Sequence, residues 1–255
     1  MKTLWLIYLY LFILGLILGS FFNVVGLRVP EKQSIVKPRS ACPHCHRTLT
    51  WKELIPVLSY VWQKGKCSSC SQKISPIYPA IELLSGGLFA FSFYMFGFDP
   101  EIIVAFTLIS LLLIITVSDL AYMLIPNKVL IIFIILLGFE RTFIHLHAWY
   151  DPLLGFLTGF LLLLGIALVS KGGMGGGDIK LFAVLGVALG LSNLLVAIFL
   201  SSLIGAVVGL IGMAAGKVQR KKPVPFGPFI MAGSLIAYFY GSRLIDWYFG
   251  FFLQY

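Results

Sequence analysis

Apolar stretches long enough to cross a lipid bilayer recur along almost the whole chain, and this leaves few folds open to it. A hydrocarbon core of about 30 Å takes about 20 consecutive apolar residues as helix. Such runs lie at Leu4–Leu27, Ala80–Phe98, Ile102–Val117, Val129–Phe143, Leu153–Ser170, Leu181–Leu191, Leu194–Gly216 and Phe229–Phe249. The short Leu181–Leu191 run, separated from the next only around Gly190–Asn193, leaves the count at seven or eight. Only 11% of the 255 residues are charged and 59% are hydrophobic. A soluble core has no use for so much apolar surface, so lipid is the expected solvent. In lipid every backbone polar group needs an internal partner, which favours helices. The expected class is an all-α polytopic membrane protein. Met1–Asn23 has the look of a signal peptide, but its apolar run is too long and no small-x-small cleavage site precedes a polar region. It reads as the first span.

The net charge of +9 is a matter of topology. Arg28 to Lys73 holds nine basic residues against Glu31 and Glu53, and a second cluster joins Lys217, Arg220, Lys221 and Lys222. The positive-inside rule puts both segments in the cytoplasm. With eight spans and an external N-terminus, Lys128, Lys171 and Lys180 fall on the same side. Asp99, Glu101, Glu140, Asp151 and Asp246 then fall outside. No excess of charge is left that calls for a nucleic acid.

Three parts follow: a first span at residues 1–28, a polar segment at 29–79, and a membrane-embedded region at 80–255. Gly155-x-x-x-Gly159, Gly186-x-x-x-Gly190, Gly205-x-x-x-Gly209 and Gly212-x-x-x-Gly216 let helices approach closely, and read as packing features.

All four cysteines lie in the polar segment, as Cys42-Pro-His-Cys45 and Cys67-Ser-Ser-Cys70. Two Cys-x-x-Cys pairs separated by 21 residues have the spacing of a zinc ribbon with four thiolate ligands. Arg47, Lys64 and Lys66 would offset the thiolate charge. Disulfides fit a reducing compartment poorly. His44 and His46 are alternative ligands, read here as outside the metal's first coordination sphere.

Carboxylates near hydrocarbon are costly and point to function. Glu82, Asp119 and Asp178 sit at the cytoplasmic ends of spans. Asp119 closes one apolar run ahead of Pro126, and Asp178 follows Gly172-Gly-Met-Gly-Gly-Gly177 and opens another. Topology therefore sets both aspartates at one membrane face, 59 residues apart in sequence. A pair of carboxyls can divide labour, the ionised one taking a proton from water and the protonated one donating to a substrate carbonyl. Taken alone, Asp119 also reads as a helix-end residue and the glycine run as a linker. The run is not a Walker A loop, since no Gly-Lys-Ser/Thr follows, and lacks the dinucleotide fingerprint. Backbone without side chains at Gly175 and Gly177 would admit an extended substrate. Glu82, after Tyr78-Pro79, reads as a capping or pairing residue.

Taken together these residues resemble the type IV prepilin leader peptidases of bacteria. Gly175-Gly-Gly-Asp178 is similar to the Gly-x-Gly-Asp motif of membrane aspartyl proteases, and Asp119 with Ile125-Pro-Asn127 to the family's first aspartate region. Gly19-Ser-Phe-Phe-Asn-Val-Val25 with Arg28 and Pro30, the cysteine pairs, Tyr78-Pro-Ala-Ile-Glu82 and Pro225-Phe-Gly-Pro-Phe229 resemble further family motifs, in order. The resemblance implies Asp119 and Asp178 as catalytic residues, with Gly175 and Gly177 at the substrate. It implies cleavage of prepilin leaders after a glycine on the cytoplasmic side of the plasma membrane. It also implies N-methylation of the new terminus from S-adenosylmethionine, favoured here by the four retained cysteines; no glycine fingerprint marks the donor site. The rival expectation is a proton- or cation-coupled transporter using Asp119 and Asp178. Transporter sites lie near the bilayer midplane, whereas these aspartates map to an edge.

Overall fold

A computed structural model describes residues 2–146, 148–170, 174–216 and 224–252. In chain order its helices are α1 (Lys2–Arg28), a 3₁₀ turn (Trp51–Leu54), α2 (Leu58–Trp62), α3 (Ile77–Phe96), α4 (Glu101–Tyr122), α5 (Asn127–Phe143), α6 (Asp151–Val169), α7 (Gly176–Ala214) and α8 (Gly227–Phe252). Every apolar run of the sequence falls on a helix. Among the described residues extended pairing is limited to two isolated bridges, Ala41 with Thr48 and Lys66 with Lys73. Among the described residues the regular structure is therefore all-helical outside the cysteine segment, as expected. By length and composition α1, α3, α4, α6 and α7 can each cross a membrane. Side chains such as Trp5, Ile135, Phe139 and Phe199 lie largely exposed. Outward-facing apolar side chains in such numbers fit a surface solvated by lipid. Lys171 to Gly173 and the basic cluster from Lys217 to Lys222 lie outside the described residues.

The chain divides into two compact units, Met1–Val117 and Ser118–Tyr255. In the first, α1 packs on α3 through small residues. A Cβ at Gly15 would stand 2.7 Å from the Gly86 Cα, and one at Gly19 would stand 2.8 Å from the Glu82 Cα. Backbone-to-backbone contact of this kind maximises dispersion where no water is available to drive association. Phe89, almost fully buried, stacks on Phe106 with ring centroids 4.3 Å apart.

In the second unit α6 lies on α7 through the expected glycines. Gly155 faces the Gly186 backbone, and a Cβ at Gly159 would meet the Phe182 carbonyl at 2.6 Å. The gap between the two runs of α7 is a break within one helix. Gly190 there takes φ 72° and ψ 178°, open to glycine alone among common residues. Side chains take up the backbone groups that such a break releases. Asp151 Oδ1 accepts the Leu191 amide at 3.0 Å, and Arg141 Nε donates to the Ala188 carbonyl at 3.1 Å. Both side chains thus replace hydrogen bonds the helix has lost.

Candidate active site

Asp119 lies in the last turn of α4, which then stops. Met123 takes a left-handed φ of 52°, and Pro126 has no amide with which to continue the ladder. The Ser118 hydroxyl donates to the Leu124 carbonyl, folding residues 123–126 back over the helix end. The next helix, α5, starts at Asn127.

That returning loop is the platform on which α7 begins. A Cβ at Gly177 would stand 2.9 Å from the Ile125 Cβ, so a side chain there would push the start of α7 off the loop. Lys180 Nζ donates to Asn127 Oδ1 at 3.1 Å and tethers the same two segments. Asp178 thus enters in the first turn of α7, its amide donating to the Gly175 carbonyl at 3.1 Å. Its carboxyl interacts electrostatically with that of Asp119. Two acids 59 residues apart in sequence are brought together within one unit by the docking of α7 on the α4–α5 loop.

The glycines next to Asp178 differ in what surrounds them. Gly175 has an ordinary extended backbone, φ −68° and ψ 138°, so conformation does not demand glycine there. A Cβ on it would stand 3.1 Å from Asp178 Oδ2, and its absence leaves that oxygen open. Gly177 serves packing against Ile125. Gly172 and Gly173 lie outside the described residues.

A third segment completes the site. The Gly227 amide, at the first residue of α8, donates to Asp119 Oδ2 at 2.6 Å across 108 residues of sequence. The Phe226 amide also reaches this carboxyl. Asp119 is buried and Asp178 partly exposed. The N-terminal ends of α7 and α8, where amides are left over from the helical ladder and a partial positive charge collects, therefore stand against the two carboxyls. Such an arrangement suits a pair that carries one negative charge between its members, which is the state acid–base division of labour requires.

Across nearly the same stretch, residues 106–210 match the model of the type IV leader peptidase family, and residues 13–96 match that of the bacterial peptidase A24 N-terminal domain. A prepilin leader peptidase/N-methyltransferase of Bacillus subtilis (strain 168) is 50% identical, over 93% of this chain and 96% of its own length. The chain belongs to the type IV leader peptidase family. Other relatives of the same printed name come from Aeromonas hydrophila, 32% identical over 96% of this chain and 94% of theirs, and Myxococcus xanthus, 37% identical over 86% and 68%. No solved structure matches the chain. Membership of a leader peptidase family decides against the transporter alternative.

The family's cysteine segment forms a second constellation in the first unit. The Sγ atoms of Cys42, Cys45, Cys67 and Cys70 all lie within 4.8 Å of one another, and none is in a disulfide. Cys42 Sγ and Cys70 Sγ are 3.8 Å apart. A tetrahedral ion with Zn–S of about 2.3 Å separates its sulfurs by about 3.8 Å. The two knuckles repeat each other. The Cys42 amide donates to the Arg47 carbonyl and the Cys67 amide to the Gln72 carbonyl. His46 and Ser71, four residues after the first cysteine of each knuckle, both take left-handed φ, 55° and 58°. Backbone amides of Cys45 and His44 lower the Cys42 thiol, and those of Cys70 and Ser69 bring Cys67 down to about 6. Amides aimed at sulfur are what a thiolate ligand requires, so the cluster fits zinc. His44 and His46 are exposed, and neither joins the cluster among the described residues.

Glu53 ties the knuckles together. Its Oε1 accepts from Arg47 of the first and Ser68 of the second, and its Oε2 accepts the Thr50 amide and hydroxyl. Held foremost by Arg47 and then by Ser68, this carboxyl drops to about 2. Sequence reasoning left Gly227 without a role, although a Gly-Pro at the start of a span, inside a recognised motif, was the available signal. It also left Asn23, within the motif that opens at Gly19, and Glu53 without a role; nothing in the spacing marks Glu53.

Proposed function

We propose that the chain is a membrane aspartyl endopeptidase that removes the leader of type IV prepilins or pilin-like precursors, and that it methylates the exposed N-terminus. The observation that carries this reading is that Asp119, in the last turn of α4, and Asp178, in the first turn of α7, lie within electrostatic reach of one another. One carboxyl, ionised, takes a proton from water as its oxygen attacks the scissile carbonyl. The other, protonated, donates to the carbonyl oxygen. The Gly227 amide keeps Asp119 aimed during the exchange. Gly175 leaves Asp178 accessible to the substrate backbone, and Gly177 keeps the loop closed beneath it. The precursor's apolar stem would lie in lipid beside the helices and present its leader junction, after a glycine, at the rim.

Residues 29–79 form the cysteine domain in this reading, with one structural zinc ion on Cys42, Cys45, Cys67 and Cys70. Residues 80–255 form the peptidase domain behind the first span, 1–28. Both cysteine domain and active site face the cytoplasm of the plasma membrane, as the run of basic residues from Arg28 to Lys73 supports. S-adenosylmethionine supplies the methyl group. Co-expression with a candidate prepilin, followed by mass measurement of its N-terminus, tests the reading. A shortened chain carrying one added methyl is expected; an intact leader would overturn it.

A further inference from the structure

Beneath the cysteine knuckles, within the first unit, lies a cavity of about 280 Å³. Helix α1 supplies Ser20, Asn23 and Arg28 to its wall, the start of α3 supplies Tyr78 and Glu82, and Cys42 and Cys67 border it from the knuckles. Its polar groups are out of balance. Asn23 is 5% exposed, and its amide nitrogen donates to the Tyr78 carbonyl at 3.1 Å. That bond fixes the orientation of the side chain, so the atom left over is the carbonyl oxygen, Oδ1. This atom is buried without a hydrogen-bond partner. Glu82 is 8% exposed. Its Oε2 accepts the Val57 amide at 2.7 Å, and Ser20 also bonds to the carboxyl.

Among the described residues no ion pair engages the Glu82 carboxyl. The basic group lining the cavity does not form one, because Arg28 Nη1 donates to the Ser34 and Pro38 carbonyls instead. Glu53, the other acid in the lining, is taken up by Arg47 and Ser68. The cavity thus offers surplus acceptors, a buried carboxyl and a buried amide oxygen, while its lining cation, Arg28, is directed to backbone carbonyls. Buried polar groups without partners are costly, and a ligand bearing a positive charge and N–H donors would satisfy both.

We propose that this cavity binds the methyl donor, with Glu82 and Asn23 receiving the α-ammonium end of S-adenosylmethionine. The inference rests on the methyltransferase reading above and adds to it a site. Its size suits a small molecule, and its border of cysteine residues gives the zinc a purpose: the ion would hold the roof of the donor pocket. In the transfer itself the C–S bond of the sulfonium breaks, a C–N bond forms to the neutral amine of the new N-terminus, and the amine loses one proton to water.

Equilibrium binding of radiolabelled S-adenosylmethionine to the zinc-loaded full-length protein in nanodiscs is the test, because it reads binding without turnover. Glu82→Gln keeps an oxygen for the Val57 amide and removes the charge. Its affinity should fall about tenfold or more, the low end for a hydrogen bond to a charged group. Photo-crosslinking of the donor to the unaltered protein, read by peptide mapping, gives an answer that no misfolded variant can confuse. Label within residues 20–28 or 53–82 supports the site. Label confined to residues 118–255, or undiminished binding by Glu82→Gln, overturns it. A wild-type protein that binds no donor would instead count against the methyltransferase reading.

Discussion

Replacing Gly227 with alanine separates a positioning role for this residue from a merely structural one. The added Cβ would stand 2.9 Å from both the Cβ and Oδ2 of Asp119, about 0.6 Å inside the optimal carbon–carbon separation of about 3.5 Å. Asp119 is fixed in α4 and Gly227 opens α8, so the strain falls on the amide–carboxyl bond of 2.6 Å between them. A hydrogen bond to a charged group contributes about 1.5–3 kcal/mol net. Its loss should slow cleavage about 10- to 150-fold, at about 1.4 kcal/mol per tenfold. Backbone conformation works in the opposite direction. Gly227 is not among the residues with positive φ, so alanine introduces no backbone strain, and within a helix it gains up to about 0.5–1 kcal/mol over glycine. The balance is a net loss of about 0.5–2.5 kcal/mol of stability. Cleavage of a purified prepilin, followed beside thermal unfolding in the same detergent, should therefore show an enzyme that melts somewhat lower than wild type and, still folded at the assay temperature, cleaves slowly. A Gly227→Ala enzyme that cleaves at the wild-type rate would refute the claim that this amide aims Asp119.

Two predictions concern the cysteine domain. Glu53 is held well below its usual range by Arg47, Ser68 and Thr50. The stability it contributes is therefore present above about 4.5 and is lost as pH falls towards about 2. The difference in melting temperature between wild type and Glu53→Gln should be full at pH 7 and shrink as pH falls below 4.5; a difference independent of pH would contradict the clamp. Metal analysis of the purified protein should find one zinc per chain, and Cys42→Ser should lose it; zinc retained in that variant would show that the ion sits elsewhere.

How much could be read in advance depends on the range of the interaction. Apolar runs of bilayer length are local and force helices, so α1 and α3 to α8 were legible. So was the interruption near Gly190, though not the means of closing it, because Asp151 and Arg141 come from other helices. Gly155, Gly159 and Gly186 announced close packing by their spacing. Gly15 and Gly19, four apart as well, did not stand out as a packing pair beside so much apolar sequence, although Gly19 opens a family motif. Asp119 and Asp178 stood out because carboxyls at span ends are rare. Gly227 did not, because its part is played by a backbone amide, which every residue but proline carries. The unpaired Asn23 oxygen has no sequence signature at all, since it depends on which neighbours fail to reach it.

The account comes down to whether Asp119 and Asp178 act as one unit. Single-turnover cleavage of a prepilin by Asp119→Asn, Asp178→Asn and the double variant, each verified as inserted in the membrane, measures this directly. Residues that work together are not additive, so each single change should abolish cleavage as fully as the double. Wild-type-like cleavage by either single variant would contradict it.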